Sequence, residues 1–137
     1  MPSPERALAL VYSCSGSSNV AQLANALAVR LDRNGLAEMS CIAGVGGDVK
    51  PLVRKATSGR RIVVIDGCPL GCCEKALARH GVRADQVVRL HERGLRKRQH
   101  VDFAPDERDR VYAEILVEID AVLGTGAATA RDGTAER

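Results

Sequence analysis

The chain has 137 residues, 45% of them hydrophobic, with no Trp, two Tyr and one Phe. That length suits one domain whose core is built from Val, Leu, Ile and Ala, and the shortage of aromatic rings argues against stacking on bases or sugars. A net charge of +3 is small, and its main source, the mixed segment Glu92–His100, is too short to make a case for nucleic acid and reads as a solvated loop.

The N-terminus carries an apolar run only from Ala7 to Tyr12, behind Glu5, with no basic n-region and no small-residue cleavage site, so no signal peptide is expected. No run approaches the roughly 18 apolar residues of a membrane span. The expectation is a cytoplasmic protein with no membrane partner, in a compartment that keeps thiols reduced. There, an odd count of five cysteines argues for metal, catalysis or burial rather than a disulfide framework.

In chain order, residues 7–13 read as a short strand followed by a small polar turn. Val20, Leu23, Ala24, Leu27 and Leu31 fall on one stripe of a helix, with Asn19 as the expected N-cap, Gln22 at the capping-box position and Asn34-Gly35 as the stop. Residues 36–42 form a weak strand, short or at the sheet edge. Gly44 to Asp48 reads as a flexible loop ending in an N-cap candidate; Leu52, Val53 and Ala56 then pack a helix that Pro51 tolerates in its first turn and Gly59 closes.

Residues 61–65, RIVVI, make the clearest strand, a β-branched run suited to burial on both faces. A third short helix runs from the cysteine cluster to His80-Gly81, and residues 86–90 read as a fourth strand. From Pro105, with Asp106 and Glu107 in the first turn, Val111, Ile115, Leu116, Ile119, Val122 and Leu123 give a helical apolar face ended by Gly124. The tail, 125–137, lacks periodicity and is expected to be disordered. The alternation predicts a single α/β domain over residues 1–124, an open three-layer sandwich on a mainly parallel four-stranded sheet of flavodoxin- or Rossmann-like order 2-1-3-4.

Cys14, Cys41 and Cys68 are separated by 27 residues and again by 27, about one βα unit. Each follows a predicted strand and precedes a glycine within three residues. In a parallel sheet, equivalent strand ends share one edge, where such folds bind ligands. Neighbouring strands lie about 4.8 Å apart, and two thiolates on a tetrahedral zinc, with Zn–S near ~2.3 Å, are about 3.8 Å apart. Small loop adjustments would let the three share an ion. Cys72 or Cys73 could supply a fourth thiol, but neighbours entering a helix point about 100° apart, so both do not face one ion. The helix starts beside Cys14, Cys68 and Cys72 are expected to favour thiolates.

The segments Tyr12–Gly16 with Asn19-Val20 and Gln22–Ala24, Met39–Cys41 with Ala43-Gly44, and Ile65–Pro69 with Cys72 resemble the DGC-domain family, regarded as zinc-binding and named for the triplet that stands here as Asp66-Gly67-Cys68. The likeness covers about residues 7–90. It implies four metal-ligand cysteines, Cys14, Cys41, Cys68 and Cys72, and so selects Cys72 over Cys73. The segment 92–100 and the tail match none of the family's motifs.

The expected function is a small protein holding zinc through four thiolates in a structural, storage or sensory role, with Cys41 or Cys72 displaceable to leave an open coordination position. A protein partner is left open. The alternatives are an iron–sulfur cluster on the same thiols or a thiol-dependent redox or sulfur-transfer enzyme cycling Cys68 with Cys72, or Cys72 with Cys73. A phosphatase-type cysteine loop would need Arg where Val20 stands. His91 is a candidate ligand or proton carrier at the same edge, with an exposed loop histidine the simpler reading, and Asp66 is expected to hold the Cys68 turn through a backbone N–H.

Overall fold

A computed structural model describes residues 7–124. Among them, β1 (Leu10–Ser13), β2 (Glu38–Met39), β3 (Ile62–Asp66) and β4 (Gln86–Arg89) pair in parallel throughout, in the order β2-β1-β3-β4. The helices are α1 (Asn19–Arg33), α2 (Ile42–Gly46), α3 (Lys50–Ala56), α4 (Cys72–Ala78), α5 (Pro105–Glu118) and α6 (Asp120–Leu123). The expected strand order is the observed one.

Strand alternation divides the core in two. Val11, Val63, Ile65 and Val88 pack against α1 and α5, while Leu10, Tyr12, Ile62 and Val64 face the opposite side with Val45, Ala56 and Leu77 of α2, α3 and α4. Helices on both faces of one sheet make the three-layer sandwich. Every residue of the central strands β1 and β3 is buried, which is why they read as continuous apolar runs rather than alternating ones.

Local differences from expectation have identifiable causes. Ser18, not Asn19, caps α1, its Oγ accepting the Ala21 N–H. Asn19 is engaged elsewhere: its side chain donates to the Arg96 carbonyl and accepts the Arg98 N–H. Gln22 donates to the Gly16 carbonyl instead of completing a capping box.

The weak strand contracts to Glu38–Met39, and the predicted loop after it begins as α2. Glycine disfavours helix, but Val45 is fully buried against the second core and anchors the turn. Asp48 does not cap α3; Val49 holds that position. The C-terminal helix breaks at Ile119 into α5 and α6, with Ile119 and Leu123 both still buried. The expectation for the tail, 125–137, lies outside the described residues, and no helix among those described is long and apolar enough to cross a membrane.

Candidate functional site

The carboxyl ends of β1 and β3 and the start of α4 enclose a cavity of about 390 Å³. Cys14, Cys68, Cys72 and Cys73 all line it. Cys41 does not: it is exposed, and its sulfur accepts the Gly44 N–H at 3.4 Å as the N-cap of α2. The next two residues, Ile42 and Ala43, do line the cavity. The equal spacing therefore brings Cys14 and Cys68 together, whereas the two-residue edge strand ends early and leaves Cys41 at the rim.

Each residue of the Asp66-Gly67-Cys68 triplet has a separate task. Gly71, at the N-cap position of α4, sits in the left-handed region at φ 61° and offers no capping side chain. Asp66 supplies the cap from the end of β3: Oδ1 accepts the Cys73 N–H at 3.0 Å and Oδ2 the Glu74 N–H at 3.1 Å. Burial raises its pKa against the lowering effect of those two donors. The support role expected of Asp66 is thus the observed one, directed at α4.

Gly67 donates its N–H to Cys14 Sγ at 3.1 Å. A Cβ on it would stand 2.6 Å from the Val20 carbonyl oxygen and 2.9 Å from the Ala21 nitrogen, so only glycine lets the end of β3 pass the first turn of α1. Cys68 then presents its thiol to the cavity, where Lys97 Nζ donates to it at 3.7 Å.

Electrostatics at Cys14 differ from expectation. Burial pushes its thiol up to about 11, the Gly67 N–H pulling the other way and Asp66, Cys68 and Cys72 adding to the rise. Burial outweighs the helix start that was expected to favour a thiolate. Cys73 is 1% exposed, packs in the second core, and has its thiol held far above the usual range by the same desolvation.

The cavity also includes a residue that sequence reasoning treated as part of a solvated loop. Residues 96–99 form a strap tied to the start of α1: the Asn19 N–H donates to the Arg98 carbonyl at 3.0 Å, Asn19 makes its two side-chain bonds there, and Ser17 Oγ donates to Gln99 Oε1 at 2.9 Å. Successive side chains diverge, Lys97 and Gln99 lining the thiol cavity and Arg96 and Arg98 a separate groove. Nothing in the sequence except the run of charge marks Lys97. His91 lies in a 3-10 turn, Leu90–Arg93, half-buried, with Nδ1 lacking a hydrogen-bond partner among the described residues; it does not line the cavity.

Among the described residues, no three His, Cys, Asp or Glu side chains form a ready-made metal-ligand group. The donor chemistry nevertheless fits zinc, a borderline-soft ion readily held by sulfur. Peptide N–H groups already aimed at the Cys14 and Cys41 sulfurs are the kind of outer contact that orients metal ligands.

An α/β fold with a thiol-lined cavity at its sheet edge and an Asp-Gly-Cys turn places the chain in the DGC-domain family, to which it belongs; the family model matches residues 10–115. A relative, the anaerobic and virulence modulator AnvM of Pseudomonas aeruginosa, is 58% identical over 113 residues, 82% of this chain and 86% of that protein. No solved structure matches the chain.

Proposed function

We propose that the protein is a small metal-binding regulator that holds Zn2+ through the thiolates of Cys14, Cys41, Cys68 and Cys72. The observation that carries this reading is the convergence of Cys14, Cys68 and Cys72 on one cavity at the C-terminal edge of the sheet, where open α/β folds bind ligands. Cys41, exposed beside two cavity-lining residues, is the ligand whose side chain would have to turn inward. When bound, zinc would supply the positive charge that keeps the ligand thiols deprotonated, Cys14 included, whose pKa its partial burial raises. AnvM is named as a modulator, and that name supports a regulatory rather than a catalytic use of the site.

The test is metal analysis and a visible spectrum on anaerobically purified protein. The expected result is one zinc per chain and no visible colour. Single Cys→Ser changes at positions 14, 41, 68 and 72 should each lower the metal content, and Cys73→Ser should not. Iron with sulfide and visible absorption would replace zinc by a cluster on the same thiols. Full reactivity of all four ligand thiols in metal-loaded protein would reject the assignment.

A further inference from the structure

We propose that the cavity at the sheet edge is also a binding site for a small organic anion, its apolar body against Ile42, Ala43, Leu70 and Ala76 and its acid group on the Lys97 ammonium. The site shares its cavity with the proposed metal centre but does not depend on a metal being there.

Size and lining both point to an organic ligand. A volume of about 390 Å³ far exceeds an ion and falls within the roughly 300–1,000 Å³ of small-molecule pockets. Ala21, Ile42, Ala43, Leu70 and Ala76 line the cavity beside the thiols, and Leu70, 58% exposed, offers apolar surface that a ligand would remove from water.

The polar inventory then selects the charge. Both Asp66 oxygens already accept N–H groups from α4, and Gln99 Oε1 accepts from Ser17. Lys97 reaches the cavity with a thiol as its acceptor, a weak partner for an ammonium, and no carboxylate among the described residues pairs with it. The strap is fixed to α1 by hydrogen bonds at Ser17 and Asn19, so the backbone that carries Lys97 is in place before any ligand arrives and only the side chain remains to be ordered, which lowers the cost of binding. Of the three successive cations on the strap, only Lys97 lines this cavity. The ligand it fits carries one acid group on an apolar body.

The experiment compares two fluorescent probes, anilinonaphthalene sulfonate and phenylnaphthylamine, which share a ring system and differ in the sulfonate. The sulfonate should bind saturably at one site per chain and more tightly than the neutral probe. Lys97→Ala should weaken the sulfonate about tenfold, the scale of one charge-assisted bond, and leave the neutral probe unchanged, while Lys97→Arg should retain most of the affinity. Ala76→Leu, which fills the cavity, should weaken both probes. Thermal melts of each variant confirm folding, and metal content is measured on the same samples with and without chelator. Saturable, Lys97-dependent binding in metal-free protein supports the anion site even where the zinc assignment fails. Equal binding of the two probes, or sulfonate binding indifferent to Lys97→Ala or to Ala76→Leu, overturns it whatever the metal content.

Discussion

Gly67 donates its backbone N–H to Cys14 Sγ across 3.1 Å, joining the ends of the two central strands beside the thiol cavity that Cys14 lines. That bond exists because the Gly67 α-carbon can lie against the first turn of α1. Gly67→Ala would drive a methyl group to 2.6 Å from the Val20 carbonyl oxygen, a backbone atom with little room to move. The expected cost is roughly 2–3 kcal/mol, read as a melting temperature lower by roughly 10 °C. A variant melting like the parent would show that the strand end is free to shift.

Asp66 tests the other half of the same turn. Asn in its place keeps one acceptor oxygen and sets an amide NH2 against either the Cys73 or the Glu74 N–H. Asp66→Asn should lose about 1–2 kcal/mol in urea unfolding, the usual scale for a lost cap. Asp66→Glu, too long for the same two bonds, should not restore it.

Cys73 and Cys72 are adjacent yet should behave oppositely. Cys72 and Cys41 are exposed and should react first with a thiol reagent in metal-free protein, whereas Cys73, 1% exposed, should react only on unfolding. Cys73→Ala should cost on the order of 1 kcal/mol through the lost core contact. If Cys73 labels as fast as Cys72, its place in the core is wrong.

The strand order and the pairing of Cys14 with Cys68 were legible because β1 and β3 are buried at every residue and their ends recur at an equal interval. Cys41 obeyed the same interval but not the same geometry. Its strand forms only two ladder pairs, at Glu38 and Met39, so position in the sequence did not translate into position on the edge. Lys97 was hidden for a different reason. Its placement depends on Asn19, whose bond to Arg96 spans 77 residues, and no local pattern encodes a contact of that range. The cap of α1 was misplaced by one residue because that contact claimed the asparagine.

Glu38 gives a pH dependence away from the thiols. The Lys55 ammonium first, and the Arg60 guanidinium after it, hold the Glu38 carboxyl below its ordinary 4.5, more than offsetting burial. A carboxyl whose folded pKa is depressed stabilises the fold fully above the unfolded value and loses that contribution as pH falls through the folded one. Glu38→Gln should therefore be less stable than the parent near about pH 7, with the gap closing toward about pH 3. Because the side chain is 38% exposed, the neutral-pH gap should stay below ~1 kcal/mol. Urea midpoints at both pH values measure it, and a gap that widens in acid contradicts the sign.

Cys14, at the cavity, is joined to the Gly67 amide 53 positions later, and Lys97 reaches Cys68 from 29 positions beyond it. During synthesis, at roughly 5–20 residues per second, the first thiol leaves the ribosome seconds before the strand that will cover it, and the strap comes later still. Over that interval Cys14 is an open thiol on an unfinished chain, exposed to oxidants and stray metals alike. The finished sheet, rather than any single loop, decides when that vulnerability ends.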